Sequence, residues 1–303
     1  MSFSSKLKVA VLRGGPSDEY DVSLKTGGHV LSILRQMPEK YDPQDILISR
    51  DGEWHLSGLV GDPYKVLQHV DVVWNALHGQ YGEDGQVQRV LEGLQIPFTG
   101  SGAVASALSM NKDMAKELYK RHGLLTPEHE LIDEENLDED QLIAIFQNYL
   151  HPVIVKPASS GSSVGMHLAR SFSELKEAVK EAFKYSKKVL VEEFVKGSEA
   201  TCVVLEGARG EKIYAFVPVN KSEANHRSET NRQIEKMARE AHNILGLRHY
   251  SSSDFIITPK DKVYILETDS LPVFHEGSLA HKSVSDTGWH HRDFVDHVIK
   301  LAM

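Results

Sequence analysis

Two apolar runs near the N-terminus restrict the kind of sheet this chain can build. Residues 8–12 form a short apolar run ending in Gly14-Gly15, and residues 22–34 then carry apolar side chains at helical spacing, which is the order strand, glycine turn, helix. Residues 70–77 are almost continuously apolar, as a strand covered on both faces of a parallel sheet must be. Shorter strands at 45–48, 54–56 and 96–99 and a helix over 87–94 complete a doubly wound α/β lobe at residues 1–100.

A chain of 303 residues exceeds what one hydrophobic core organises, so further lobes are expected at 101–191 and 192–303. The first of these holds helices near Ala103 and at 111–122, a strand at 128–132 and an acidic helix-prone stretch at 134–149. A strand at 153–156 and a Gly/Ser loop follow. A helix then opens at Ser171, with Glu174 at capping-box spacing, before a strand at 189–194. The last holds strands at 200–205 and 214–219, an aperiodic polar segment at 220–230 and a helix at 233–245. Strands at 254–257 and 263–266 come next, joined by a turn at Pro259-Lys260-Asp261, and the spacing of Phe294, Val298 and Leu301 predicts a closing amphipathic helix.

The formal net charge of -9 repels phosphate backbones and argues against nucleic acid as the main partner. No stretch approaches the ~20 apolar residues that span a bilayer, and the N-terminus lacks a signal core, so no membrane partner and a cytoplasmic location are expected. The single cysteine, Cys202, lies in an apolar run and reads as a small buried residue.

Three constellations could carry chemistry. Lys156 ends an apolar strand and precedes a loop of small residues through Gly161, Ser162, Ser163 and Gly165. Such a loop can fold amides and hydroxyls over phosphates, although a surface turn with a solvated lysine is the plain alternative. The lysine precedes the glycines, which disfavours a P-loop, and no Gly-x-Gly-x-x-Gly follows a strand. Asp254 sits on one strand, with Glu267 and Asp269 two positions apart at the end of the next. Antiparallel pairing would unite the three as hard oxygen ligands for Mg²⁺, and solvated strand-end acids are the other reading. Glu192, on an apolar strand end ahead of Gly197 and Glu199, could meet an adenine amino group or a ribose, or merely connect two lobes.

In this order the three resemble the ATP-grasp fold, and the N-terminal half is similar to the D-alanine-D-alanine ligase family. The residues that carry the likeness run from Gly14-Gly15 to Glu19 and Val22-Ser23, from Leu77-His78-Gly79 through Gly82 to Gly85, and from Gly100 and Gly102 to Lys112. The resemblance implies an N-terminal substrate lobe, a central ATP-grasp lobe and a C-terminal ATP-grasp lobe with the metal site. It also implies ATP and Mg²⁺ or Mn²⁺ as cofactors, a homodimer, and a role in cell-wall peptide synthesis. By position it places Lys112 and Lys156 on ATP phosphates, Ser162 and Ser163 in the phosphate lid, Glu192 and the Val195 backbone on adenine, and Glu199 on ribose. Asp254, Glu267 and Asp269 would bind two metal ions. Glu19, Val22, His78 and Ser278 would surround the substrates.

Several positions depart from the family. Ser252 stands where the family has an oxyanion-stabilising arginine, Val273 replaces a glycine, and Asp269 replaces a more usual asparagine. Losing one oxyanion donor typically costs about 10²- to 10³-fold in rate. His275 and His226 are nearby candidates to stand in. The segment 220–230 is shorter than the family's lid and lacks its tyrosine and lysine, with Lys221 or Arg227 available for the charge. A ligase for other amino or hydroxy acids, or a nucleotide-binding homologue without turnover, are the alternatives. The histidines His281, His290, His291 and His297 have no cysteine or second cluster to support them, so a metal reading there is disfavoured.

Overall fold

The computed structural model describes residues 6–159, 161, 164–221 and 227–303. The first lobe contains β1 (Leu7–Gly14), α1 (Tyr20–Arg35), β2 (Tyr41–Ile48), β3 (Trp54–Leu56), β4 (Leu59–Gly61), α2 (Pro63–Leu67), β5 (Val72–Asn75) and α3 (Gln86–Gly93). Its sheet runs β4-β3-β2-β1-β5, with β1 parallel to both β2 and β5. All of β5 is buried, as its unbroken apolar run requires. The expected strand at 96–99 is reduced to a single parallel bridge, Val73 to Phe98.

The helices α4 (Ala103–Met110) and α5 (Lys112–Arg121) precede a second sheet built from β6 (His129–Asp133), β7 (Val153–Pro157), β8 (His167–Ala169) and β9 (Lys188–Glu193). Its order is β6-β9-β7-β8, and α6 (Glu139–Asn148) and α7 (Phe172–Ala182) share its core. Ser171 caps α7 by accepting from the Glu174 amide, as its spacing predicts. The acidic stretch ahead of α6 is a 3-10 turn at Glu134–Asn136, then the helix.

A third sheet runs β11-β10-β13-β14, formed by β10 (Ser198–Glu206), β11 (Ile213–Ala215), β13 (Tyr250–Ile257) and β14 (Val263–Asp269), with β12 (Val219–Asn220) against β10. The expected strand at 214–219 is therefore two short ones, divided around the exposed Val217. The helix α8 (Ser228–Ile244) begins five residues before the expected 233, because its first turn is polar and buries only Thr230. Two helices end the described chain, α9 (Leu279–Asp286) and α10 (His291–Ala302). The short, largely polar α9 has no counterpart among the sequence expectations.

Two cores tie these parts together. Val30 and Leu34 of α1 share one cluster with Phe216, Tyr250, Phe274, Phe294 and Val298, so the first lobe and the last helices are packed as one body. Ala115 and Tyr119 of α5 belong to the other, with Ile234 and Met237 of α8 and Val204, Phe255 and Ile265 of the third sheet. Cys202 is fully buried there, its thiol 3.4 Å from the Phe216 carbonyl oxygen.

The turn after β1 requires glycine. Gly14 has φ +91°, and a Cβ there would collide with the Ile48 carbonyl oxygen, which already accepts from the Gly15 amide at 2.8 Å. Gly14→Ala combines a forbidden dihedral with a clash. It is expected to cost more than about 2 kcal/mol in urea unfolding, whereas Gly52→Ala, also at positive φ but with open space around it, should cost less.

Candidate active site

Helix α5 brings two lysines, one turn apart, into the space between the second and third sheets. Asn111 caps it, accepting from the Met114 amide at 3.1 Å, and the Lys112 amide donates to the Ala158 carbonyl at the start of the Gly/Ser loop. Lys112 Nζ lies 2.9 Å from Glu267 Oε2 on β14. Burial works against its charge, but Glu267, then Asp269 and Glu192, outweigh it and hold its pKa above the ordinary value. Lys116 is fully buried and sits 3.0 Å from Glu192 Oε2, with Thr126 Oγ1 at 2.9 Å as a second acceptor. Its pKa is lowered to about 8 by burial and by Lys156, against the pull of Glu192.

Lys156 closes this cage by donating to Glu192 Oε1 at 2.8 Å. The buried Glu192 carboxylate would be pushed up by desolvation, yet Lys156 and Lys116 together bring its pKa down to about 2. Lys156 and Glu192 are placed by the pairing of the central strands β7 and β9, whose register sets Ile154 opposite Glu192 and so puts Lys156, two residues on, on the same face of the second sheet. Val195 follows on the connection from β9 to β10, and Glu199 is the second residue of β10.

The carboxylates of the third sheet gather as their alternation predicts. Asp254 is the register partner of Glu267, and Asp269 lies opposite Ser252, with a bulge just after Asp254. Asp254 accepts from Thr201 Oγ1 at 2.6 Å and from Lys221 Nζ at 2.9 Å. Desolvation still raises its pKa, with Glu267 adding to the effect. Asp269 is raised well above the carboxylate range by desolvation, Glu267 and Asp254. Glu267 is lowered, because Lys112 and Lys156 overcome its desolvation. A cluster of carboxylates that hold protons too tightly is deficient in positive charge, and hard oxygen donors without imidazole or thiolate suit Mg²⁺ or Mn²⁺. These residues fit such an ion.

A further acidic group lies across the cleft on the first lobe. Glu19 is nearly buried at the start of α1, and a Cβ at either Gly79 or Gly161 would strike its carboxylate. Glu83 accepts from the Gly79 amide at 2.6 Å, and its pKa is raised well above normal by desolvation, Asp269 and Glu19. His78 is buried beside them, 2.9 Å from Thr26 Oγ1, and burial lowers its pKa to about 4, so it is neutral at physiological pH. Glu19, His78, Glu83, Glu267, Asp269 and Val273 line one small cavity.

It adjoins a larger recess of about 410 Å³, lined by Val22, Lys221, Ser252, Asp254, Val273, His275 and Ser278 among others. That volume suits a small ligand. Ser278 caps α9, its Oγ accepting from the amides of His281 and His275 at 3.3 Å each, so the amide end of a helix opens into the recess. Helix N-termini of this kind attract carboxylates and phosphates. Lys221, between Asp254 and Glu199 at 2.9 Å from each, has its pKa raised because these acids outweigh its burial.

The structure thus brings together Glu19, Val22, His78, Ser252, Val273 and Ser278, and joins the lysines and carboxylates into a continuous strip beside them. Ser162, Ser163 and His226 lie outside the described residues. Arg227 pairs with Asp261 at 3.4 Å instead of joining the recess, which leaves Lys221 as the available charge. Lys116 and Glu83 are site residues that the sequence reading missed. Spacing from Lys112 puts Lys116 on the same helix face but does not show its burial, and Glu83 lies inside the motif that begins at His78.

Comparison with known proteins gives consistent matches. The family model described as D-ala D-ala ligase C-terminus matches residues 118–223 and 219–300, and D-ala D-ala ligase N-terminus matches residues 58–101. The D-alanine--D-alanine ligase of Geotalea uraniireducens is 35% identical over 311 residues, covering 97% of this chain and 95% of that protein. Among solved structures, the D-alanine-D-alanine ligase from Coxiella burnetii superposes with a TM-score of 0.88 at 26% identity, covering 98% of this chain and 95% of the other. The ligase from Bacillus anthracis complexed with ATP gives 0.81 at 25% identity, covering 98% and 96%.

Removing one partner from a buried carboxylate usually costs about 3–5 kcal/mol when the charge is left alone. With Lys156 still in place, Lys116→Met is expected to lose roughly 1–3 kcal/mol in denaturant unfolding at pH 7. No loss would mean that the clasp does not stabilise the fold. Asp269 and Glu83 have raised pKa values in the folded chain, so their contribution to stability is full below the usual carboxylate range and is lost as pH rises through the shifted values. Asp269→Asn should therefore raise the metal-free thermal midpoint at pH 8, with little gain at pH 4.5, while weakening divalent-metal binding by isothermal titration at least about tenfold.

Proposed function

The chain belongs to the D-alanine-D-alanine ligase family, and from that premise we propose which of its residues do the work. The activity is the ATP-dependent, ADP-forming ligation of two D-alanine molecules by an enzyme with the ATP-grasp fold. In this reading residues 1–100 form the substrate lobe, 101–191 the central ATP-grasp lobe and 192–303 the C-terminal ATP-grasp lobe with the metal site. A cytoplasmic homodimer supplying peptidoglycan precursor is the matching biological setting. No helix of the described residues is long and apolar enough to cross a membrane.

The observation that supports the assignment of roles is the meeting of both charges in one cleft. Lys112 and Lys156 pair with Glu267 and Glu192, Glu83 shares a small cavity with Lys112, Glu267 and Asp269, and Glu19 lines the adjoining one with Glu83, Glu267 and Asp269. The lysines hold ATP phosphates, Glu192 and the Val195 backbone take adenine, and Glu199 meets the ribose. Asp254, Glu267 and Asp269 would hold Mg²⁺, which would supply charge neutralisation for phosphoryl transfer. Glu19, with the neutral His78 behind it, holds the ammonium group of the first D-alanine, and the start of α9 at Ser278 receives the carboxylate of the second.

Phosphoryl transfer then follows from position. A carboxylate oxygen of the first D-alanine forms a bond to the γ-phosphorus as the bond to the ADP oxygen breaks. The amine of the second D-alanine attacks the resulting acyl phosphate at carbon, loses a proton, and phosphate leaves with the bonding electrons. Oxyanion charge develops beside Ser252. Lys221, held in the same recess by Asp254 and Glu199, supplies the cation that an arginine would otherwise bring.

Mg-ATP-dependent phosphate release should occur with D-alanine and give the D-alanyl dipeptide by mass spectrometry. L-alanine should give no release, and D-lactate should give no coupled product. Release with another substrate while D-alanine is ignored, or none with any, would overturn the reading. Lys221→Met is expected to lower kcat about 10²- to 10³-fold, and Ser252→Ala less than about tenfold.

A further inference from the structure

Away from the cleft, three helices from opposite ends of the chain converge on a group of imidazoles. His29 comes from α1, His281 from the first turn of α9 and His291 from the start of α10. One ring nitrogen of each lies within 4.8 Å of those of the other two. The rings of His281 and His291 stack at 3.6 Å between centroids, and His29 meets His281 edge-on at 5.0 Å. Along the sequence a metal here is disfavoured, because the tail histidines have no cysteine or second cluster to support them. The fold changes the arithmetic by adding His29 from the first lobe.

We propose that His29, His281 and His291 form a binding site for a borderline divalent transition metal of the Zn²⁺ type, distinct from the carboxylate site in the cleft. The donor set is the reason for the class: three imidazoles and no carboxylate select Zn²⁺, Co²⁺, Ni²⁺ or Cu²⁺ over Mg²⁺. Four-coordinate zinc with Zn–N of ~2.0 Å brings ligand nitrogens to roughly 3.3 Å of one another, so closing the set requires the stacked rings of His281 and His291 to swing apart about their side-chain torsions until each ring plane contains the ion. The half-buried site leaves the fourth position to water.

Two features prepare it. His29 Nε2 is buried and has no hydrogen-bond partner, an arrangement that costs free energy and that a metal ion relieves. His291 Nε2 lies 2.8 Å from Ser285 Oγ and 3.2 Å from the His281 carbonyl oxygen, which orients the ring and leaves Nδ1 for the metal. Burial and neighbouring imidazoles lower the pKa of His29 and take that of His281 to about 4, so both are neutral, as ligands must be. Beneath the cluster, Phe274 stacks on Phe294 at 4.6 Å and supplies an apolar floor. A metal here clasps α1 to α9 and α10. It thereby fixes the helix whose capping residue, Ser278, opens into the substrate recess.

The test uses untagged full-length protein, stripped with chelator and assayed in excess Mg-ATP so that the cleft is occupied. Equilibrium dialysis should show one Zn²⁺ per chain, and Co²⁺ should develop the intense visible absorption of tetrahedral nitrogen coordination. Zinc should also raise the thermal midpoint. His281→Gln and His291→Asn are each expected to weaken zinc on the order of 100-fold and to abolish both signals, while the exposed neighbour variant His290→Gln keeps them. No saturable zinc binding, a weak octahedral cobalt spectrum, or unchanged affinity in the cluster variants would overturn the proposal. Should a variant fail to fold, the cobalt spectrum of the unmodified protein decides alone. Ligase activity with D-alanine is read separately, so neither result stands in for the other.

Discussion

The site depends on a helix that puts two cations between two sheets. Lys112 and Lys116 stand one turn apart on α5, the first paired with Glu267 of the third sheet and the second with Glu192 of the second. Side chains four apart share a helix face, so neither pair can move without the other. On its core side α5 is anchored by Ala115 and Tyr119 in the cluster of the third sheet, with the Tyr119 hydroxyl 2.8 Å from Thr268 Oγ1. A buried charge without a partner is expensive. The requirement to neutralise Glu192 therefore fixes how the two sheets face each other, and Lys156 is held in place by the same carboxylate.

That clasp leaves the acidic side of the cleft under-neutralised. Glu19, Glu83 and Asp269 line one cavity and Asp254 lines the adjoining recess with Asp269, and the pKa values of Glu83, Asp254 and Asp269 are raised by desolvation and by neighbouring carboxylates. A fold keeps such an arrangement when ligands bring the missing charge. In the proposed roles, an ammonium group at Glu19 and Glu83 and a divalent ion at the third-sheet carboxylates would both lower the energy of the same cluster, which would couple substrate and metal binding through electrostatics without a moving part. The overall charge of -9 says nothing of this, because Lys112, Lys116 and Lys156 gather against Glu267 and Glu192 in the same cleft.

The parts of the site legible in the sequence are those set by local periodicity. Glu267 and Asp269 could be placed on one face of a strand because side chains alternate there, and Lys156 could be read as ending a strand because an apolar run precedes it. Lys116 could not. With Lys112 and Lys120 it makes a row that looks like a solvated helix face, and only the distant Glu192 shows that the middle member is buried. Glu83 was hidden by its turn-rich surroundings, and α9 by its polarity. The convergence of His29 with His281 depends on how the ends of the chain pack, which spacing along the chain does not encode.

The packing of the two ends also explains how a recess lacking the family arginine can remain a binding site. Val273 and Ser252 leave room there, and neither brings a charge. What remains is the amide end of α9 and the ammonium of Lys221, one fixed by the fold and the other held by two carboxylates. The hydrogen bonds that cap α9 are long, 3.3 Å from the amides of both His281 and His275 to Ser278 Oγ, so those donors can turn toward an incoming carboxylate at small cost. Their direction is set by α9 itself, and α9 rests on Phe274 and His29, hence on the core shared by the first lobe and the last helices. The residues proposed to receive the second substrate are therefore positioned by an interface between the two ends of the chain, and whatever tightens that interface sharpens the recess.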